Sequence, residues 1–340
     1  MTENQPDKIL LAHGGGGRLT SSLIENHIVP RFGNDKLCQL TDAAEINLDS
    51  KTICFTTDSF VVKPLFFNGG DIGKLAICGT VNDIAVAGAK PVALSLSLII
   101  EEGLDFETFE KILSSAAKTA ADAGIEIVTG DTKVVEAGAA DGIFINTAGI
   151  GSKPQSGNLS FGKIEPGDKI IINGTIGDHG MTIISQREGI KFDSPLKSDC
   201  ACLSGIIADV LDISDGVKFM RDPTRGGVAA TLNEVATASG CSIELKESDL
   251  PINPTVRAAS EMLGFDLLDI ANEGKVVMVV SESDAEKVLE TLKKHPLGKD
   301  SAVIGTVVES DGGDIVEVTT KIGGSRIVQM PYGRELPRIC

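Results

Sequence analysis

The chain has 340 residues and a formal net charge of −17 at pH 7, and its length predicts about two domains. An acidic excess of this size argues against nucleic acid and anionic membrane surfaces as partners, because both require a basic face. Aromatic residues make up only 4% of the chain, whereas 38 residues are glycine, so we expect a core of aliphatic and small side chains with many tight turns.

Seven cysteines are spread along the chain, mostly inside apolar stretches. An odd number without paired spacing argues against a disulfide framework and favours reduced thiols. The close pair Cys200 and Cys202 lacks the second cysteine or histidine cluster that a zinc site requires. No apolar run reaches the ~18 residues of a membrane span, and the opening MTENQPDK is polar. We therefore expect a cytoplasmic protein without a signal peptide.

Four consecutive glycines, Gly14 to Gly17, follow a short predicted strand and precede an amphipathic helix. The segment matches neither a Walker loop nor the dinucleotide-binding fingerprint. Two interpretations remain open: a lid whose backbone amides, at Gly15 and Gly16, close over phosphates, or a flexible linker. Residues 1–38 form this glycine-rich segment and its helix.

Acidic residues recur at the ends of the predicted elements that follow. Asp42 begins the first of two predicted strands, and Asp58 ends the second. A helix predicted from Ile72 to Ala87 is small and aliphatic on nearly every side, so it should be buried. It contains Asn82 and Asp83, and a buried carboxylate must be paired or bind a metal.

A further strand ends in the sequence GDTKVV, which contains Asp131 and Lys133. Four acidic residues are therefore predicted at the edges of separate elements: Asp42, Asp58, Asp83 and Asp131. They are candidates to converge on a divalent cation, although scattered carboxylates are more often solvated.

The composition changes between residues 152 and 165, so we predict one domain over residues 39–152 and a second over residues 165–329. In the second, Asp222 precedes a glycine pair that opens a helix, as an N-cap or beside amides that suit an oxyanion. Glu273 precedes an uninterrupted apolar strand. A hairpin is predicted to turn at Asp311 to Gly313. Strands are grouped rather than strictly alternating with helices, which indicates an α+β fold.

The sequence ends in MPYGRELPRIC. Its prolines and glycine disfavour helix and favour an extended, mobile tail over residues 330–340. If Cys340 is the last residue of the protein, its thiol sits at the tip of that tail. Such a tail is either a frayed end or a means of carrying a thiol into an active site.

Five segments taken together resemble the HypE family of hydrogenase maturation factors, in order and spacing: TTDSFVV, GKLAICGTVNDIAVAGAKP, GDTKVV, MRDPTRGGVA and PRIC. That family belongs to the superfamily of aminoimidazole ribonucleotide synthetase (PurM-like) and selenophosphate synthetase. The resemblance covers essentially the whole chain. It implies a PurM-like α+β fold of two domains. The N-terminal domain would contribute strands to a barrel in a homodimer, the C-terminal domain would be α/β, and ATP would bind in the cleft.

The resemblance also implies a reaction. The carbamoyltransferase HypF would load a carbamoyl group onto Cys340, and ATP would drive its dehydration to a thiocyanate. The cyanide would pass to iron held by HypC and HypD, for the nickel-iron hydrogenase centre. Mg²⁺ would be held by Asp42, Asp58, Asp83 and Asp222. The nucleotide would also contact Asn82, Asp131, Gly15 and Gly16. Glu273 and Lys133 would remove protons or position the tail.

Three alternatives stay open at this point. A selenophosphate-synthetase-like phosphotransferase would carry its reactive residue in the glycine-rich segment, which here offers only His13. A small-substrate kinase or amide-activating ligase of the superfamily would have no use for the PRIC tail. A non-enzymatic carrier of the carbamoyl or cyanide group would not explain the acidic positions, so the dehydratase is preferred.

Overall fold

The computed structural model describes residues 8–14, 18–40, 44, 46–48, 52–153, 159–190, 192, 196–331 and 338–340. The strands are β1 (Ile53–Phe60), β2 (Phe66–Phe67), β3 (Gly70–Asp71), β4 (Lys90–Glu101), β5 (Glu126–Val135), β6 (Ile143–Ser152), β7 (Lys169–Ile172), β8 (Val217–Arg221), β9 (Ser242–Lys246), β10 (Val277–Val280), β11 (Ala302–Val308), β12 (Val316–Thr319) and β13 (Ser325–Ile327). The helices are α1 (Arg18–Leu23), α2 (Val29–Phe32), α3 (Ile72–Val86), α4 (Phe106–Asp122), α5 (Asp178–Arg187), α6 (Ser204–Ile213), α7 (Gly227–Ser239), α8 (Pro254–Leu263) and α9 (Glu282–Lys294).

The N-terminal half is built on a four-stranded sheet in the order β1-β6-β4-β5, in which only β4 and β5 run parallel. Helix α3 packs against β1 and β6, and α4 packs against α3. The Asp71 side chain caps α3 by accepting hydrogen bonds from the amides of Gly73 and Lys74. As predicted, α3 is buried along almost its whole length, so whatever it carries lies inside the protein.

The C-terminal half contains a seven-stranded sheet in the order β13-β12-β9-β11-β7-β10-β8. Its central strands are buried on both faces, and every residue of β10 is buried. Side chains of α5, α7 and α8 cover one face and those of α6 and α9 cover the other. The mixed arrangement agrees with the predicted α+β class.

The predicted hairpin around residues 311–313 is wrong. Strand β9 lies between β11 and β12, pairing antiparallel with β11 and parallel with β12. The Asp-Gly-Gly signal correctly marks a turn, but a local turn does not determine which strand fills the adjacent position. Ile243 and Leu245 of β9 are almost fully buried there, so tertiary packing decides the pairing.

The first of the two strands predicted before residue 62 lies largely outside the described residues. No helix in the described ranges combines the length and apolarity needed to cross a bilayer. All seven cysteines are free thiols, as predicted.

Candidate functional site

Three of the predicted acidic residues come together between β1, α3 and the segment after β8. The pKa of Asp58 is raised to about 6, first by burial and then by the charge of Asp83. The pKa of Asp222 is raised to about 7 by burial, with further contributions from Asp83 and Asp58. We call Asp58, Asp83 and Asp222 the acidic cluster. Its members repel one another, which is the electrostatic condition that a bound cation relieves.

Glu273 lies beside this cluster, 3% exposed, and its Oε1 atom has no hydrogen-bond partner among the described residues. Burial, followed by the nearby Cys340 and Cys200 thiols and Asp222, raises its pKa well above the ordinary value. Its backbone amide donates to Asp199. A buried, unpaired carboxyl group that faces a thiol is suited to proton transfer.

Asp199 fixes the backbone that carries Glu273. It accepts hydrogen bonds from the amides of Glu273 and Gly274 and forms an ion pair of 3.1 Å with Lys275. Although burial opposes ionisation, Lys275, His179 and these amides hold its pKa below the usual range. Asp199 is therefore an anion with a structural role.

The last residues of the sequence are docked between the two halves of the molecule. The amide of Val61 donates to the carbonyl of Cys340 at 3.1 Å, and that of Lys63 donates to the carbonyl of Arg338 at 3.3 Å. The Ile339 side chain is buried in the N-terminal core, where it joins Ile183 and Ala271 from the other half. The prediction of a mobile tail concerns motion and stays a prediction.

Two residues that the sequence analysis did not single out hold this end of the chain. Arg225 Nε donates to Cys340 Sγ at 3.1 Å, and its charge also acts on Asp58. It borders a cavity of about 830 Å³ that reaches Cys340. His179 Nε2 lies 2.8 Å from the carbonyl oxygen of Ile339, and its Nδ1 lies 2.8 Å from Ser198 Oγ. The motifs DPTRGG and GDHG were visible, but only the fold brings these side chains to the tail.

The prediction that Asn82 contacts the nucleotide stays a prediction, and the structure shows which groups of the chain its side chain binds. Its Nδ2 group donates to the carbonyls of Ala201 and Glu273, and its Oδ1 accepts from the amide of Leu203. Both amide hydrogens are therefore bonded within the chain. Asn82 instead links α3 to the loop of residues 196–203.

Asp131 and Lys133 do not join the acidic cluster. Along the paired strands, Asp58, Thr147, Leu96 and Gly130 share one face of the sheet, so Asp131 points to the opposite face. Asp131 and Lys133 form an ion pair of 2.6 Å with each other and are 59% and 62% exposed. Both border a second cavity of about 480 Å³, which also reaches Gly14. Within one chain, Lys133 is not in contact with Cys340.

Asp42, Gly15 and Gly16 lie outside the described residues. Across the part of the chain that is described, no group of three or more His, Cys, Asp or Glu side chains has the arrangement of a metal site.

Comparisons with known proteins agree over nearly the whole chain. Residues 40–152 match the family described as AIR synthase related protein, N-terminal domain, and residues 165–317 match its C-terminal domain. The chain is 48% identical to carbamoyl dehydratase HypE of Escherichia coli (strain K12), covering 98% of this chain and 100% of that protein.

Two solved structures are similar in fold as well as in sequence. The crystal structure of the hydrogenase maturation protein HypE in complex with ATP is 42% identical, with a TM-score of 0.94 and coverage of 97% of this chain and 99% of that one. The HypE chain of a HypE–HypF complex is 49% identical, with a TM-score of 0.80 and coverage of 91% and 100%. The predicted family resemblance and two-domain fold are confirmed.

Proposed function

The chain belongs to the HypE family of carbamoyl dehydratases, and from that premise we propose that it dehydrates an S-carboxamide on its own Cys340 to a thiocyanate, using ATP. The observation that carries the proposal is the docking of Cys340 beside Arg225 and Glu273, next to the acidic cluster. A thiol carried there is a substrate within reach of an acid-base group and of a cation-binding site.

The thiol of Cys340 first accepts a carbamoyl group. The thiolate is the nucleophilic form of cysteine. When the tail is docked, Arg225 Nε–H donates to the sulfur at 3.1 Å and would hold the loaded group in the site. The carbamoyltransferase HypF is the proposed donor, since a similar chain has been crystallised in a complex with HypF.

The dehydration then proceeds in two stages. The carboxamide oxygen on Cys340 attacks the terminal phosphorus of ATP, which forms an S–C(=NH)–O–phosphate group and releases ADP and a proton. Glu273 next takes the remaining proton on nitrogen while the C–O bond to phosphate breaks, leaving S–C≡N and inorganic phosphate. Phosphorylation turns a poor leaving group into a good one, and a correctly placed base contributes typically 10²–10⁴-fold to the rate.

The acidic cluster fits Mg²⁺ bound together with a nucleotide. Mg²⁺ is commonly held by one or two carboxylates plus substrate phosphate oxygens rather than by a closed protein cage. Burial and the charge of Asp83 raise the pKa values of Asp58 and Asp222, and a bound cation would offset both effects. Asp58, Asp83 and Asp222 would hold the cation, with Asp42 as a further proposed ligand. When bound, the cation would neutralise the charge on the transferred phosphoryl group.

The remaining proposals concern assembly. Gly15 and Gly16 would close over phosphates from the glycine-rich segment. Asp131 and Lys133 lie on the exposed face of the sheet, so in the proposed homodimer they belong to the surface between copies. After dehydration, an iron centre on HypC and HypD is the proposed acceptor of the cyanide. The reduced thiols support a cytoplasmic location.

Intact-mass spectrometry tests the central step. Protein loaded by HypF should lose the mass of one water when Mg²⁺ and ATP are added, and Cys340→Ala should show neither loading nor loss. Cys54→Ala, which removes another half-buried thiol, should behave as wild type. An unchanged mass in protein that is loaded and ATP-bound would overturn the proposal and favour a passive carrier.

A second variant separates loading from dehydration. Asp83→Asn should still accept the carbamoyl group, because loading requires the thiol and the donor, but it should lose at least tenfold in dehydration rate through the cation site. Equal loss of both steps, with a lowered thermal midpoint, would indicate a purely structural role for Asp83.

A further inference from the structure

Three cysteines from the two halves of the molecule meet in one place, and none of them belongs to the predicted catalytic set. Cys78 lies on α3, and Cys200 and Cys202 lie on the loop of residues 196–203. The sulfurs of Cys202 and Cys78 are 3.4 Å apart, and Cys200 is close enough to Cys78 to raise the pKa of its thiol. The cluster does not have the arrangement of a metal site, so its chemistry is that of thiols.

The members of the cluster are not equivalent. Cys78 is fully buried, whereas Cys202 is half-buried and reachable from solvent. The contacts with Cys200 and Cys202, together with burial, raise the pKa of Cys78. The contact with Cys78 and then the ammonium group of Lys74 lower the pKa of Cys202. Cys202 is therefore the thiol that a small oxidant meets first, with Cys78 in position to resolve the product.

We propose that Cys78 and Cys202 form a peroxide-sensitive pair that closes into a disulfide between the two halves of the molecule. The Cys202 thiolate attacks a hydroperoxide: an S–O bond forms, the O–O bond breaks, and the leaving oxygen takes a proton to become water or an alcohol. The Cys78 thiol then loses its proton and attacks the sulfenic sulfur. The S–S bond forms, the S–O bond breaks, and water leaves. Two thiols are oxidised by two electrons and one hydroperoxide is reduced.

The geometry requires only a small adjustment. A disulfide bond is about 2.05 Å long, so the two sulfurs must approach by roughly 1.4 Å. Cys202 lies on a loop, where rotation of its side chain can supply that movement. Cys78 and Cys202 belong to different halves of the molecule, so the disulfide would link α3 to the loop of residues 196–203.

The loop also carries residues that organise the tail and the base. Ser198 contacts His179, which binds the carbonyl of Ile339, and Asp199 binds the amide of Glu273. A Cys78–Cys202 disulfide thus restrains the segment that supports both, and oxidation should stiffen the tail-docked form.

Non-reducing peptide mapping of the full-length protein tests this inference. After treatment with hydrogen peroxide at a low molar excess, tandem mass spectrometry should find a linked peptide that joins Cys78 to Cys202. Fragment ions are needed because Cys200 and Cys202 share one tryptic peptide. A dithiol reductant should reverse the link, and the oxidised protein should melt about 5 °C higher than the reduced protein.

Two variants serve as controls. Cys202→Ser should lose the link, whereas Cys54→Ser, at another half-buried thiol of the N-terminal half, should retain it. The inference is overturned if Cys78 stays unlinked in the wild type while Cys202 or Cys340 proceeds to sulfinic acid. It is equally overturned if Cys78 links to Cys200 and leaves Cys202 free. These outcomes do not depend on dehydratase activity, so they stand apart from the proposed function.

Discussion

Glu273 shows how a single residue can be unfavourable for folding and useful for chemistry. It is a buried carboxyl group with one oxygen that lacks a partner among the described residues. Leaving a buried acceptor unsatisfied costs on the order of 1–3 kcal/mol. Once ionised, the same group is a stronger base than an ordinary glutamate and can accept a proton from a substrate on Cys340.

Replacing Glu273 with glutamine should therefore separate stability from activity. The pKa of Glu273 in the folded protein is well above its ordinary value of 4.5, so the folded state binds this proton more tightly than the unfolded state. The wild type then loses stability as pH rises from about 4.5 towards the raised pKa. Glu273→Gln avoids this loss, so its advantage in thermal midpoint should grow from pH 4.5 to 7.5, while dehydration falls by roughly 10²-fold or more.

Differential scanning fluorimetry at several pH values measures the first effect, and intact mass measures the second. Glu309→Gln, at an exposed loop position, provides the matched control and should show no pH-dependent difference from the wild type. A pH-independent difference between Glu273→Gln and the wild type would rule out the assigned ionisation.

The sequence predicted Asp58, Asp83, Asp222 and Glu273 as site residues, because a carboxylate beside or within an apolar element is unusual and conspicuous. It did not predict Arg225 or His179. A charged or polar residue in a glycine-containing turn is common on surfaces, and only the tertiary position of the tail gives these two residues a partner.

At the scale of elements, α5 and the loop of residues 196–203 together hold the last residues of the chain in place: His179 of α5 contacts both Ser198 and Ile339. Helix α5 follows Gly177, whose φ of 82° is in the left-handed region that glycine tolerates. This turn places His179 in the first turn of the helix. Burial lowers the pKa of His179, so the neutral ring donates from Nε2 to Ile339 and accepts at Nδ1 from Ser198.

His179→Ala should loosen the tail. The buried carbonyl of Ile339 would lose its donor, at a cost of about 1–3 kcal/mol, which corresponds to an increase of at least roughly fivefold in the undocked population. Cys340 should react with iodoacetamide at least roughly fivefold faster, and the amides of Val61 and Lys63 should exchange hydrogen more rapidly. His295→Ala, at the end of α9, should leave both rates unchanged. Unaltered Cys340 reactivity in a folded His179→Ala protein would refute this role.

Local sequence patterns predicted several elements well. The strand predicted to end in GDTKVV ends at Val135 as β5, and the helix predicted from Ile72 to Ala87 is α3, Ile72–Val86, capped by Asp71. Periodicity and capping residues decide such elements locally. The pairing of β9 with β11 and β12 was not predicted, because strand order depends on contacts between distant parts of the chain.

At the scale of the whole molecule, one face of the N-terminal sheet carries apolar side chains that remain exposed within the described part of the chain. Phe55 is 68% exposed and Ile53 is 50% exposed on β1, and Ile99 on β4 is 43% exposed. Apolar side chains along a sheet face are a common site of association. The sequence could not predict this exposed apolar face. Alternation of residue types distinguishes the two faces of a strand, but it does not show which face the rest of the protein leaves exposed.

Phe55→Glu should convert the proposed homodimer into a monomer, because a carboxylate placed within an apolar interface must be desolvated. Light scattering after size-exclusion chromatography measures the molar mass directly. Ile322→Glu introduces the same charge at a turn position that is 97% exposed, and it should not change the mass. A wild-type protein that elutes as a monomer at micromolar concentration would exclude the dimer.

The final tripeptide connects the two halves of the molecule. Its backbone accepts hydrogen bonds from the amides of Val61 and Lys63 on one side and from His179 on the other. The side chain of Ile339 packs between the two halves, against residues from both. If loading by the proposed partner takes Cys340 out of this position, the packing of Ile339 and the hydrogen bonds that join the two halves through the tail are lost. The two halves of the molecule should then be held together less firmly while the tail is undocked than while the reaction takes place in the cleft.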